Sequence, residues 1–188
     1  ISMNPEQDGS VVRIMPLFLS DDGQLVPSLS LEALRVAQGA SSYVVQATSE
    51  QPAAIEAVKV GNFEVPTTGS GGLWLYLSPE TGERYVSAGA ILGNGAQDLA
   101  PLIEGNIVFI GTSAAGLLDI RATPLGQNVP GVSLHAQAVE QMLTGSYLAR
   151  PDWIEGLEVL AVAATALVVM LMMDHFDEFV CSKQLKKS

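Results

Sequence analysis

The chain has 188 residues, 48% hydrophobic and only 15% charged, with 20 acidic against 9 basic side chains and a formal net charge of -11. That balance excludes nucleic-acid binding, which depends on Lys and Arg neutralising phosphates. The single cysteine, Cys181, lies beyond the most apolar stretch, so the preceding part has no disulfide, cysteine-zinc cluster or thiol nucleophile.

Residues 11–19 (VVRIMPLFL) read as a strand, ended by the turn cluster Ser20-Asp21-Asp22-Gly23. Pro27 is expected to open a helix running to Gln38, with Leu31, Leu34 and Ala37 on its apolar face and Gly39 as its stop. Residues 42–47 (SYVVQA) read as a further strand. Residues 58–60 and 63–65 read as a hairpin turning at Gly61-Asn62, and residues 66–72 as a loop.

Residues 73–77 (LWLYL) read as a strand with Trp74 and Tyr76 on one face and the three leucines on the other. Pro79-Glu80-Thr81-Gly82 marks a turn, and Ser87 is placed to cap a short helix leading to Gly93. Residues 107–110 (IVFI), set between Gly105 and Gly111, suit a strand buried on both faces. After a loop, residues 132–143 have helical spacing, with Val132, His135, Ala136, Val139, Met142 and Leu143 on one face and Gly145 as the stop. Strands alternating with helices point to an α/β or α+β domain, a mixed sheet with flanking helices.

Residues 159–173 (VLAVAATALVVMLMM) carry no charge. With residues 154–158 they reach about 20 residues, the length that spans a bilayer. Trp153 precedes them at the place tryptophan favours, and Lys183, Lys186 and Lys187 follow. Excess lysine marks the cytoplasmic side, so the acidic domain is expected outside. The expected division is residues 1–152 as an extracytoplasmic sensory domain, 153–173 as a membrane helix and 174–188 as a cytoplasmic tail. The chain begins at Ile1 without a signal peptide and is expected to be a piece of something longer.

One series of motifs is more specific. Ile110-Gly111, the small-residue loop from Thr112 to Gly116, Asp119, Thr123-Pro124, Pro130-Gly131-Val132 and His135-Ala136 occur in that order. Upstream stand Asp8-Gly9-Ser10-Val11-Val12-Arg13, Pro16-Leu17 and the helix PSLSLEAL from Pro27. This series resembles the second of the CHASE families of extracytoplasmic sensory domains, over about residues 8 to 173. The resemblance implies a membrane region after the domain and a cytoplasmic adenylate or guanylate cyclase, or a kinase, as output. It also implies a further α/β portion before the Asp-Gly-x-x-Arg strand, so the sheet formed by these residues alone is expected to be incomplete at its N-terminus.

The site residues to consider are Gly111, Thr112, Ser113, Asp119, Arg121, Thr123 and His135. The glycine loop lies where α/β sheets bind ligands, at the end of an expected strand. It lacks the Lys-Ser/Thr ending of a phosphate-binding P-loop and reads first as a structural turn or pocket wall. Asp119 and Arg121 either orient a small polar ligand or pair with each other. His135, on an apolar helix face, reads first as a core residue, and the other histidine, His175, lies beyond the apolar segment, so no metal site is expected. No G-x-S-x-G elbow occurs, and no cofactor is expected. The expected partners are the lipid bilayer, a second copy in a homodimer, and an unknown small-molecule or physical stimulus. The rival readings are a membrane-anchored periplasmic enzyme using the Gly111 loop and Asp119, and a purely structural dimerisation domain.

Overall fold

The computed structural model describes residues 6–8, 11–49, 53–93, 96–112, 119–148 and 153–185. The chain divides into two compact units, Ile1–Leu148 and Ala149–Ser188.

In the first unit, strand β2 (Val11–Pro16) is the hub of a mixed sheet. It pairs antiparallel with β1 (Glu6–Asp8) and with β8 (Gly72–Trp74), where Ile14 faces Trp74 and Met15 faces Leu73. It also pairs parallel with β9 (Ile120–Thr123) at Val11 and Ala122, and β9 pairs antiparallel with β10 (Gly126–Pro130). The run VVRIMPLFL is therefore two strands rather than one. Leu17 breaks it, donating its N–H to Gly71 and accepting from the Ser28 N–H. A second hairpin, β3 (Phe18–Asp21) and β4 (Gln24–Pro27), follows. Its turn places Asp22 at φ 45° and Gly23 at φ 81°, the paired left-handed conformation that Asp-Gly accommodates.

Pro27 ends β4 and does not open the helix. The helix α1 is Leu29–Ala37, and Ser28 is its N-cap, accepting from the Leu31 N–H at 3.2 Å. A separate antiparallel sheet contains β5 (Tyr43–Ala47), β6 (Ile55–Val60) and β7 (Phe63–Pro66), turning through Gly61 at φ 56°. Glu32 of α1 ties the helix to this sheet. It accepts two hydrogen bonds from Arg35, at 2.6 and 2.9 Å, and one from the Tyr43 hydroxyl. Arg35 and Tyr43 together hold the Glu32 carboxyl down at about 2. Burial and then Glu32 push the Tyr43 hydroxyl up to about 12. A depressed carboxylate pKa contributes stability that is present above the unfolded value near 4.5 and lost as pH falls toward 2. Glu32→Gln is thus expected to differ from the parent in thermal midpoint at pH 6 and to converge with it by pH 2, read by circular dichroism. A constant difference across that range refutes the linkage.

Beyond β8 come a short 3-10 turn (Gly82–Arg84) and two helices, α2 (Ala88–Leu92) and α3 (Ala96–Ile103). Ser87 caps α2, its hydroxyl accepting from the Gly89 N–H at 3.2 Å. Residues 107–110 do not form the expected strand. Phe109 packs on the core, whereas Val108 and Ile110 face outward, Ile110 at 94% exposure. A strand needs a neighbour, and β9 is flanked on both sides already, by β2 and β10.

Helix α4 (Gly131–Thr144) closes the unit, ending at Gly145 with φ 67°. The core unites Val12, Met15 and Leu17 with Leu31 and Leu34 of α1, Val58, Val60 and Val65 of the second sheet, and Leu134, Ala138, Val139 and Met142 of α4. The buried face of α4 is rotated from the expected one. Leu143 is exposed, Val132, His135 and Ala136 are half-buried, and Ser133, Gln137 and Gln141 are buried instead.

The second unit contains α5 (Trp153–Leu185), 33 residues and so about 50 Å long. Its Gly156–Met173 segment is long and apolar enough to cross a membrane and is not buried inside the protein. The Thr165 hydroxyl, the one side-chain donor in that segment, is satisfied by the Ala161 carbonyl at 2.7 Å. Pro151 and the lysines at 186 and 187 lie outside the described residues, as do Gly9 and Ser10 of the upstream motif.

Candidate functional site at the start of helix α4

Helix α4 is gripped at its beginning and along one side. At the beginning, the Gly131 N–H donates to the Asp119 carbonyl at 2.8 Å. The Asp119 carboxylate fills the space a side chain at 131 would need, since a Cβ there would stand 2.3 Å from its Oδ1. Glycine is therefore required at 131 for Asp119 to reach the helix start, where the helix dipole favours an anion. Gly111 lies equally close, with a Cβ at 111 only 2.5 Å from the Val132 Cβ. These two glycines draw the 111–112 segment and the Asp119 loop onto the first turn of α4.

Four residues later on the same helix face stands His135. Its Nδ1 is buried and finds no hydrogen-bond partner among the described residues. Burial pushes its pKa below the ordinary 6.5, and the negative charge of Asp119 pulls in the opposite direction. Arg121, on β9, stands 4.0 Å from Asp119 in a loose ion pair. Of the residues singled out in the sequence, Gly111, Asp119, Arg121 and His135 therefore gather around the start of α4. Thr112 is exposed, and Ser113 lies outside the described residues. Thr123 stands apart in role. Its hydroxyl donates to the Gly126 carbonyl at 3.0 Å and accepts from the Gly126 N–H at 3.2 Å, which locks the β9–β10 turn.

Along its side, α4 carries Ser133, Gln137 and Gln141, each four residues apart on one stripe. The extended segment after β8 runs past them. Gln141 accepts from the Tyr76 N–H at 2.9 Å and donates to the Trp74 carbonyl at 2.8 Å, as a neighbouring strand would. Gln137 accepts from the Ser78 N–H at 2.9 Å and donates to Glu80 at 2.7 Å. Glu80 also accepts from Ser133 at 2.5 Å and from the Tyr85 hydroxyl. Arg84 pairs with Glu140 at 2.8 Å on the exposed side. Past Trp74 one edge of the main chain still reaches β2, where the Leu75 N–H donates to the Arg13 carbonyl at 2.9 Å, while the other edge is taken by the glutamine side chains. Trp74 and Tyr76 point outward while Leu73 and Leu75 are buried, as the alternation implied.

Among the described residues, no group of three His, Cys, Asp or Glu side chains is arranged to hold a metal ion. What the α4 cluster does hold is one carboxylate, one guanidinium and one imidazole around a helix start.

The CHASE2 domain family matches residues 1–171. The chain belongs to the CHASE2 family. CHASE2 domains are extracytoplasmic sensory modules of signalling proteins, and they are sensory rather than catalytic. In this CHASE2 chain the Asp119, Gly131 and His135 cluster is built from the residues that carried the resemblance. Comparison with curated proteins and with solved structures returned no match.

Proposed function

We propose that this chain is the signal-input part of a bacterial membrane signalling protein. Residues 1–152 form the sensory domain on the periplasmic side of the inner membrane, 153–173 the membrane helix, and 174–188 a cytoplasmic tail. The output domain is a cyclase, in preference to a kinase, and the protein works as a homodimer, so that two membrane helices move relative to each other. The observation that carries this reading is a CHASE2 match running into a continuous 33-residue helix with an unburied apolar span. Helix α4 ends at Thr144 and α5 begins at Trp153, so a displacement of α4 has little chain in which to dissipate. The stimulus acts at the cluster of Gly111, Asp119, Arg121 and His135, because this cluster sets where α4 begins; Thr112, which follows Gly111 in the chain, belongs to the same proposed site, and Ser113 lies outside the described residues. Thr123 supports it by fixing the β9–β10 turn.

Topology is the direct test. In a Cys181→Ser background, a cysteine replacing exposed Asp98 is expected to react with a membrane-impermeant thiol reagent in intact spheroplasts. Cys181 in the parent chain is expected to react only after lysis. The reverse pattern inverts the orientation and removes the sensory assignment of the acidic domain.

A further inference from the structure

The start of α4 combines three features that its packing alone does not require. An imidazole nitrogen is buried without a hydrogen-bond partner among the described residues. A carboxylate is held one helical turn away, in space kept open by Gly131. Among the described residues, that carboxylate forms an ion pair with Arg121 at the long distance of 4.0 Å. A neutral core histidine is normally satisfied at both nitrogens. Here Nδ1 has no partner among the described residues, and the anion whose charge acts on the imidazole is Asp119.

We propose that His135 and Asp119 form a proton-operated switch, in which proton uptake by the imidazole draws the Asp119 carboxylate away from Arg121 and toward His135. The ligand is the proton, and the balance is simple: Nδ1 gains one proton, the imidazole becomes a cation, and the ion pair changes partner. The Asp119 carbonyl also holds the Gly131 N–H, so movement of this residue acts directly on the start of α4.

The surroundings leave this pair in charge of the titration. The charge that acts on His135 is Asp119. On α1, Glu32 and Arg35 are engaged with each other and with Tyr43. Strand β10 has no ionisable side chain, and Glu64 on β7 is exposed. Glu80 and Tyr85 are held on the Ser133 and Gln137 stripe, and Arg84 and Glu140 pair together. Tyr147 donates its hydroxyl to the Met142 carbonyl. Residues 113–118 carry no ionisable side chain in sequence.

Burial sets the threshold on the acidic side of 6.5, a range an extracytoplasmic domain meets when its surroundings acidify. The folded-state pKa is lowered, so the stability contributed by neutral His135 is present above 6.5 and lost as pH falls through the folded value.

The inference rests on the sensory reading of the domain, yet its test is independent of topology. The full chain in detergent micelles is titrated by NMR, following the imidazole of His135 and the side-chain carboxyl carbon of Asp119. His135→Gln supplies the imidazole assignment, because only one other histidine is present. The expected result is a His135 midpoint below 6.5, with an Asp119 transition at that same midpoint. In Asp119→Asn, which keeps the histidine, the His135 midpoint is expected to move further down, since the attraction that opposes burial is removed. A His135 midpoint at or above 6.5, an Asp119 signal that ignores the His135 titration, or an unchanged midpoint in Asp119→Asn each overturns the switch. The spheroplast labelling separately decides whether the domain faces outside.

Discussion

Leu134→Ala is expected to lower the thermal midpoint of the first unit by about 10 °C. Leu134 is 1% exposed and lies in the core with Ala138, Val139 and Met142 of its own helix and Leu31 and Leu34 of α1. Truncating such a leucine removes its transfer free energy and leaves a cavity, at a cost of about 2–5 kcal/mol. In a unit of this size each kcal/mol moves the midpoint by about 2–4 °C. Leu143, about two and a half turns further on, is 40% exposed, and Leu143→Ala is expected to cost less than about 1 kcal/mol. The comparison also tests the orientation of α4. Spacing alone places Leu143 on the apolar face, and a larger loss at 143 than at 134 restores that orientation. Circular dichroism melts of the two variants decide between them.

The misplacement of that face has a physical origin. Sequence periodicity counts apolar residues as inward, and α4 offers two overlapping stripes of them. The stripe that wins is Leu134, Ala138, Val139 and Met142, because burying it also brings Ser133, Gln137 and Gln141 against a main chain that needs partners. Such a gain is invisible without knowing which segment passes by. The Ser, Gln, Gln spacing of four residues was the available signal. The same blindness explains the 107–110 run, whose composition reads as a buried strand although a strand depends on a neighbour elsewhere in the chain. The hairpin of β9 and β10 falls in the stretch before residue 132 that reads as loop, because its pairing to β2 lies far away in sequence. Local chemistry was legible where it is self-contained: the Asp22-Gly23 turn, the Ser87 cap, the Gly61 hairpin and the Gly145 stop all stand where the residues place them. The site was legible in part. Asp119, Gly131 and His135 were marked by their order along the chain, but their meeting depends on two glycines whose missing side chains make the room.

Gln141→Leu tests whether the polar stripe of α4 is as important to the fold as its apolar one. Gln141 is 4% exposed and satisfies two main-chain groups at once, the Tyr76 N–H and the Trp74 carbonyl. Leucine fills a similar volume and leaves both groups unpaired, each at a cost of about 1–3 kcal/mol when water cannot reach it. The expected loss is about 2–4 kcal/mol, comparable to emptying a leucine site. The exposed pair beside it supplies the contrast. Arg84 and Glu140 make the same number of hydrogen bonds, at 2.8 and 3.3 Å, but in contact with water. Glu140→Gln is expected to cost less than about 1 kcal/mol. The difference lies in solvent, because water replaces the partner at 140 and is excluded at 141. Hydrogen exchange localises the effect: in Gln141→Leu the amide of Tyr76 is expected to lose protection while the β2–β8 ladder at Leu73 keeps it. If Tyr76 stays protected and stability is unchanged, the segment after Trp74 is held by its buried leucines and the Leu75–Arg13 hydrogen bond, and the glutamines are passengers on the helix.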